Sequence, residues 1–93
     1  MNIIEVYTKD PCPHCVRAKM LLAREGLPFV EVDAVENRDA LIERVTAATG
    51  RPPTQVPQIF IAGQHIGGAD QLAAHLKANL GSVRAAIVPE ENG

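Results

Sequence analysis

The two cysteines of this chain, Cys12 and Cys15, stand three positions apart in the run Cys-Pro-His-Cys. The run follows a β-branched, apolar segment typical of a strand and opens a segment with helical spacing. At such a junction the first sulfur faces unpaired backbone N–H groups and the positive end of the helix dipole, which favour thiolate over thiol. We therefore expect Cys12 to attack disulfides and Cys15, one turn further in, to resolve the mixed disulfide that forms.

Two side chains that can carry a positive charge stand beside the cysteines, Lys9 before them and His14 between them. A cation close to a sulfur lowers the pKa of the thiol further. Either side chain can instead face the solvent, as a charge at the end of a strand or as an exposed ring. The sequence leaves both interpretations open.

A zinc site and a structural disulfide are the other uses of a close cysteine pair. Zinc takes about four ligands, and only His14, His65 and His75 could supplement the cysteines, without a second cluster at metal-like spacing. We therefore expect no metal. Structural disulfides are rare in the cytoplasm. We expect a cytoplasmic protein, because no segment is typical of a signal peptide or has the roughly 20 apolar residues of a membrane span.

The composition of the chain is that of one small globular domain. Of its 93 residues, 46% are hydrophobic, and its formal net charge is −2. Lys, Arg, Asp and Glu are interspersed, so there is no basic stripe of the kind that neutralises phosphates. We expect a monomer with neither nucleic acid nor a membrane as its partner.

The elements that must position the cysteines follow from hydrophobic periodicity. The order is β-α-β-α-β-β-α, an α/β arrangement in which helices cover a mixed sheet. Asn37 is predicted to cap the second helix, which Gly50 ends, and the third helix begins after Gly67 and Gly68. The predicted strands are 3–8, 29–33, 58–62 and 64–66, the last two joined as a hairpin, and the helices span about 13–25, 38–49 and 69–81. The residues predicted to face inward on the helices are Cys15, Ala18, Leu21 and Leu22, then Leu41, Ile42, Val45 and Ala48, then Leu72, Ala73, Leu76 and Leu80.

The segment after Gly81 is predicted to lie outside the domain. We assign residues 1–81 to the domain and 82–93 to a flexible tail, because chain ends that are rich in acidic and turn residues are disordered by default. This tail carries one short apolar patch at 85–88. The sequence gives no functional interpretation of it.

Four segments in order resemble the dithiol glutaredoxins, and the resemblance covers about residues 3–80. They read Tyr-Thr-Lys at 7–9, Cys-Pro-His-Cys-Val-Arg-Ala-Lys at 12–19, Val-Pro-Gln-Ile-Phe-Ile at 56–61 and His-Ile-Gly-Gly-Ala-Asp at 65–70. The resemblance implies a thioredoxin-like fold with a four-stranded mixed sheet, three helices and a cis peptide before Pro57. It also implies a glutathione-dependent oxidoreductase that reduces glutathione mixed disulfides and protein disulfides, with glutathione as co-substrate and glutathionylated or disulfide-containing proteins as partners.

The resemblance assigns a glutathione contact to several positions of this chain. Lys9 would meet a carboxylate, Cys12 the sulfur, and the backbone of Val56 the central amide groups, much as an added strand would. The γ-glutamyl end would reach the start of the third helix, where the N–H groups of Ala69 and Asp70 bind a carboxylate and the Asp70 side chain accepts from the amine. The full implied set is Lys9, Cys12, His14, Gln55, Val56, Pro57, Gly68, Ala69, Asp70 and Gln71.

Three positions depart from the commoner family pattern. His14 stands where Tyr or Phe is usual, Gln55 where Thr usually precedes Val-Pro, and Gln71 where a second acidic residue often follows. A neutral Gln71 cannot pair with an ammonium group, so the glutamyl contacts are the ones affected. The sulfur chemistry is untouched.

Two alternative functions remain at the level of the sequence. Some glutaredoxins hold a [2Fe-2S] cluster between two chains, a role that Pro13 disfavours because it stiffens the segment after the nucleophile. The other alternative is a thioredoxin-like electron donor that a flavoprotein reductase recycles.

Overall fold

Four strands form one mixed sheet whose three helices lie on its two faces. The structure, a computed structural model, describes residues 2–88 of the 93. The elements are β1 (Ile4–Thr8), α1 (Pro13–Arg24), β2 (Val30–Asp33), α2 (Arg38–Thr49), β3 (Gln58–Ile61), β4 (Gln64–Gly67) and α3 (Ala69–Ile87). The strand order is β2-β1-β3-β4, with β1 parallel to β2 and antiparallel to β3, and β3 antiparallel to β4. The predicted thioredoxin-like architecture and element order are confirmed.

The central strands β1 and β3 contribute to two separate cores because successive side chains point to opposite faces. Val6 and Ile59, both fully buried, pack on the side of α1 and α3, whereas Tyr7 and Phe60 pack on the side of α2. Cys12 and Cys15, at the start of α1, therefore lie in the layer of α1 and α3. The larger core comprises Ile4, Val6, Ala18, Leu22, Leu27, Ile59, Ile61, Ala69, Leu72, Leu76, Val83 and Ile87, and the smaller one Tyr7, Ala34, Leu41, Val45 and Phe60.

The edge strands β2 and β4 are more exposed than the central pair. On β2 the Glu31 carboxylate accepts hydrogen bonds from Thr8 Oγ1 at 2.8 Å and from Lys19 Nζ at 2.9 Å. These two bonds lower the pKa of Glu31, the Lys19 bond most. Glu31 thus joins the edge strand to the neighbouring strand and to α1 while it keeps a charge at the edge.

An ion pair fastens α2 to the face of the sheet. Arg44 donates to both carboxylate oxygens of Glu5 at 3.0 Å and to the Tyr7 hydroxyl at 2.9 Å, and its guanidinium lies 3.9 Å from the centroid of the Phe60 ring. The hydrogen bonds to Glu5 are the main reason why the pKa of Arg44 is raised. Glu5, the one charge in the predicted first strand, thus has a fixed partner.

The helix end predicted at Gly50 is confirmed by its positive φ of 81°, and Gly26 follows α1 with a φ of 68°. The β3–β4 hairpin is confirmed as well. Its two central residues, Ala62 and Gly63, have φ values of 51° and 82°. Two consecutive positive values match the right-handed twist of the strands that a two-residue hairpin joins.

Two details of the second helix differ from the prediction. Asn37 occupies the N-cap position of α2, but its side chain donates to the Asp33 carbonyl oxygen at 2.9 Å and caps no helical N–H. The Asp33 carboxylate instead accepts from the N–H groups of Val35 and Glu36 at 2.8 and 3.0 Å. Ala48, which was predicted to face inward, is exposed, because α2 ends beyond the margin of the smaller core.

The third helix extends beyond its predicted end at Gly81. The helix bends at Asn79, whose φ and ψ are −133° and 21°, and then continues to Ile87. Val83 and Ile87, one helical turn apart, are 4% and 9% exposed and complete the larger core. The predicted end was wrong because burial of these two side chains overrides the local helix-breaking residues. Residues 89–93 of the expected tail lie outside the described part of the chain.

Among residues 2–88, no helix combines the length and apolarity that crossing a membrane requires.

Candidate active site

The first cysteine stands at the N-terminus of α1, as its spacing predicts. Cys12 is the N-cap residue with extended backbone, and its Sγ accepts a hydrogen bond from the backbone N–H of Cys15 at 3.1 Å. Pro13 occupies the first helical turn, where a missing N–H costs nothing. A backbone N–H that points at the sulfur stabilises its anionic form once the disulfide is reduced.

The two sulfurs differ in their access to solvent. They form a disulfide with the Cα atoms 5.2 Å apart. Cys15 is 2% exposed and belongs to the inward face of α1, whereas Cys12 is half-buried. An external partner can therefore reach Cys12, and Cys15 can be reached only from Cys12.

The loop before β3 lies opposite the sulfur. The Val56–Pro57 peptide is cis, as the resemblance implied, and the Val56 carbonyl oxygen lies 3.7 Å from Cys12 Sγ. A second cis peptide joins Asp10 to Pro11, and no sequence feature predicted it. The half-buried backbone at Val56 stands where an extended peptide bound through its sulfur to Cys12 would lie.

A groove of about 110 Å³ lies between α1, the loop before β3 and the start of α3. It brings together eight of the ten positions that the resemblance assigned to glutathione. A ninth position, Cys12, lies beside the groove, because its Sγ is 3.7 Å from the carbonyl oxygen of the lining residue Val56. Lys9 is exposed after β1 and makes no hydrogen bond or ion pair with the described residues. The groove is lined by His14, Arg17, Gln55, Val56, Pro57, Gly68, Ala69, Asp70 and Gln71.

Two glycines shape the end of this groove. Gly67 has a φ of 119°, which L side chains rarely adopt. A Cβ at Gly68 would stand 3.2 Å from Gln71 Oε1 and 3.7 Å from the Pro57 carbonyl oxygen, so a side chain there would narrow the groove. The side-chain Oε1 of Gln71 accepts from the Gly68 N–H at 3.0 Å. Gln71 therefore caps its own helix, and this use of its side chain was not predicted.

Arg17 lines the groove although it is not among the glutathione contacts that the resemblance implies. Its Nη2 donates to Asp70 Oδ1 at 2.6 Å, which ties α1 to the start of α3. The hydrogen bond from Arg17 is the main reason why the pKa of Asp70 is lowered. The only sequence signal was the position of Arg17 inside the 12–19 segment, since its partner is 53 residues away.

A buried glutamine positions the loop that carries Gln55 and Val56. Gln58, 7% exposed, donates from Nε2 to the Gln55 carbonyl oxygen at 3.0 Å. Its Oε1 lies 2.7 Å from His65 Nε2. Because the amide nitrogen of Gln58 donates to Gln55, its amide oxygen must accept from His65. This assigns the ring proton of His65 to Nε2. In the sequence, the one role weighed for the His65 side chain was that of a zinc ligand, and its contact with Gln58 was not predicted.

No three Cys, His, Asp or Glu residues are grouped as a metal site within the part of the chain that the structure describes.

Stability is expected to fall as the pH drops below about 6.5 because of His65. Its ring packs against Phe60 with the centroids 5.1 Å apart and the planes tilted by 56°, and Arg44 packs against the same Phe60. Burial lowers the pKa of His65 in the folded chain, so the unfolded chain binds the proton first and stability rises with pH through that window. One proton limits the slope to about 1.4 kcal/mol per pH unit.

Urea unfolding of the parent and of His65→Gln at pH 7.5 and 5.5 measures this slope. The variant should lose most of the difference between the two pH values. His75→Gln, at a half-buried position on α3, is the histidine control and should keep it. An identical pH dependence in the parent and in His65→Gln would contradict the assignment of the effect to this ring.

Comparisons with known proteins point to one family. The model of the glutaredoxin family matches residues 4–66. Glutaredoxin 3 of Escherichia coli strain K12 is 48% identical over 74 residues, which are 80% of this chain and 86% of that protein. The solution structure of a glutaredoxin from Brucella melitensis is 37% identical with a TM-score of 0.70, and the match covers 97% of this chain and 94% of that one. A crystal structure of a buckwheat glutaredoxin–glutathione complex is 27% identical with a TM-score of 0.71, over 92% of this chain and 76% of that one.

Proposed function

Since this chain belongs to the glutaredoxin family of thiol–disulfide oxidoreductases, we propose that it is a thioltransferase that reduces mixed disulfides between glutathione and proteins or small thiols. The observation that carries the proposal is the hydrogen bond from the Cys15 N–H to Cys12 Sγ at the N-terminus of α1. It supports an accessible sulfur that is anionic when reduced, and thiolate is the attacking species in disulfide exchange.

The proposed reaction has two exchange steps. The Cys12 thiolate attacks the glutathione sulfur of the substrate, the disulfide bond of the substrate breaks, and the released thiolate takes a proton from water. Cys12 is then bonded to glutathione. A second glutathione thiolate attacks that glutathione sulfur, so that oxidised glutathione leaves and the Cys12 thiolate is restored. The two steps together convert the mixed disulfide and one free glutathione into the released thiol and oxidised glutathione, so the free glutathione sulfur is oxidised and the sulfur of the released thiol is reduced.

Protein disulfides follow a second route that requires Cys15. Cys12 attacks one sulfur of the substrate and forms a mixed disulfide with the protein. Cys15 loses its proton and attacks Cys12, which releases the reduced substrate and leaves the Cys12–Cys15 disulfide. Two glutathione molecules then reduce that disulfide. The burial of Cys15 supports this order of events, because an external disulfide cannot reach its sulfur first.

The groove supports an assignment of glutathione contacts. We place the glutathione sulfur at Cys12, its central amides along the Val56 backbone, and its γ-glutamyl end at the N–H groups of Ala69 and Asp70. Lys9 is proposed to meet the other carboxylate. The walls are formed by His14, Gln55, Pro57 and Gly68, and Gln71 acts by holding the start of α3.

Mass spectrometry after exposure to oxidised glutathione tests the function directly. Cys15→Ser is expected to acquire a single glutathione adduct, located on Cys12 by peptide mapping. Cys12→Ser is the matched single-thiol control and should remain largely unmodified at neutral pH. Equal modification of the two variants, or an absent adduct in both, would contradict the proposed roles of the sulfurs.

We further propose that the protein works as a cytoplasmic monomer. Reduced glutathione is the reductant that the reaction consumes, and the cytoplasmic pool is poised to supply it. The groove is formed by one chain, and its lining residues come from α1, the loop before β3 and the start of α3. Size-exclusion chromatography with light scattering, with and without glutathione, measures the oligomeric state.

A further inference from the structure

At the end of the groove beside α3, one guanidinium group and one carboxylate form an ion pair. Arg17 comes from α1 and Asp70 from the first turn of α3, with 2.6 Å between Nη2 and Oδ1. Their side chains are 46% and 81% exposed. Both residues line the groove, and the N-terminus of α3 points its free N–H groups to the same place.

An ion pair with this exposure is easily opened. Water solvates both groups, so contacts of this kind contribute little to folding. A ligand that brings the same two charges can replace the pair without leaving either group unsatisfied. A ligand with a single charge would leave one of the two side chains without its partner.

Of the residues that the structure describes, Asp70 is the one acidic residue that lines this groove, and the residue after it, Gln71, is neutral. Gln71 stands where a second acidic residue often follows in the family, and its side chain caps Gly68. The end of the groove therefore holds one negative and one positive side chain, with His14 nearby on the same wall. This balance of charge suits a ligand end that is neutral overall and carries both signs.

The family resemblance already implies that the Asp70 side chain binds the α-ammonium group of the γ-glutamyl residue. We propose that Arg17 binds the α-carboxylate of the same residue, so that the Arg17–Asp70 pair recognises both charges of a zwitterion. The proposal rests on the proposed function and adds Arg17 as a specificity-determining residue. On binding, the guanidinium moves from Asp70 to the ligand carboxylate, which the N–H groups of Ala69 and Asp70 also contact. One ion pair is exchanged for two.

The low pKa of Asp70 supports this assignment, because Arg17 keeps the carboxylate ionised and ready for an ammonium group. The guanidinium in turn offers two parallel donors that match the geometry of a carboxylate. Neither side chain needs to leave solvent for the exchange to occur.

Three mixed disulfides with the same peptide thiol test the proposal. The first contains glutathione, the second a glutathione analogue without the α-amino group, and the third an analogue with an α-carboxamide in place of the α-carboxylate. kcat/KM for release of the peptide thiol is measured for the parent, Arg17→Gln, Asp70→Asn and Arg24→Gln. Arg24 lies on the same helix, outside the groove, and is the matched control.

The parent and Arg24→Gln are expected to prefer glutathione to each analogue by about tenfold, as the loss of a charged hydrogen bond predicts. Arg17→Gln should lose the preference over the carboxamide and keep the preference over the analogue without an amine. Asp70→Asn should show the reverse. In NMR titrations, Arg17→Gln should also raise the pKa of the Asp70 carboxyl group.

A purely structural ion pair would give a different result, because both substitutions would then slow all three disulfides by the same factor. That outcome overturns the proposal, as does an Arg17→Gln variant that keeps its full preference over the carboxamide. If the parent releases no peptide thiol from the glutathione disulfide, the proposed function is wrong. The proposed role of Arg17, which rests on that function, is then wrong as well.

Discussion

Cys12→Ser is expected to reduce the rate with every disulfide substrate to that of uncatalysed exchange, whereas Cys15→Ser is expected to lose only the reduction of protein disulfides. The difference follows from the positions of the two sulfurs. Cys12 stands at the N-terminus of α1, where the Cys15 N–H points at its sulfur, and Cys15 is 2% exposed. Serine at position 12 removes the attacking group itself. Serine at position 15 retains the N–H that stabilises the thiolate.

Two coupled assays with glutathione and glutathione reductase measure these effects. One uses a small glutathione mixed disulfide and the other a protein with a single accessible disulfide. Cys15→Ser should keep a rate of the parent's order of magnitude in the first assay and show none in the second. Equal loss in both assays would contradict the division of labour between the two sulfurs. Thioredoxin reductase in place of glutathione reductase distinguishes the thioredoxin-like alternative.

A chain that ends at Gly81 is expected to lose about 3 to 6 kcal/mol of its free energy of unfolding. The truncation removes Val83 and Ile87, which are 4% and 9% exposed in the larger core, and full burial of each aliphatic side chain contributes about 1.5–3 kcal/mol. Small domains have only about 5–15 kcal/mol in total. The truncated chain is therefore expected to be largely unfolded at 37 °C, or close to it.

Single substitutions attribute this loss to the buried contacts. Ile87→Ala should cost about 2–5 kcal/mol in urea unfolding, and Val83→Ala should also be destabilising. Val88→Ala, at an exposed position next to them, should stay within about 0.5 kcal/mol of the parent. A truncated chain as stable as the parent would place the end of the domain at Gly81 after all.

The sequence predicts best what depends on neighbouring residues. Cys12 and Cys15 are one helical turn apart, and their geometry follows once a helix begins at Pro13. Gly50 ends α2 because few other residues adopt its positive φ without strain. The groove residues before β3 and at the start of α3 were identified by the family resemblance, and the structure brings them together.

Features that depend on how distant segments pack were not predictable in the same way. The Arg17–Asp70 contact joins residues 53 positions apart and exists only because α1 packs against α3. The end of α3 was placed too early because Gly81 is a local helix breaker, while the burial of Ile87 is a property of the whole core. Gln71 has a local partner, Gly68, but the resemblance drew attention to its place in the groove instead.

The charged edge of the sheet has a consequence for behaviour at high concentration. The unpaired backbone N–H and C=O groups of an edge strand can form hydrogen bonds with a strand of another chain, which is a common route to aggregation. The edge strand β2 carries two acidic residues. The Glu31 carboxylate is held by Thr8 and Lys19, and Asp33 is exposed. Joining two such edges would bring like charges together. The carboxylates on β2 therefore oppose the pairing of this edge with the same edge of a second chain.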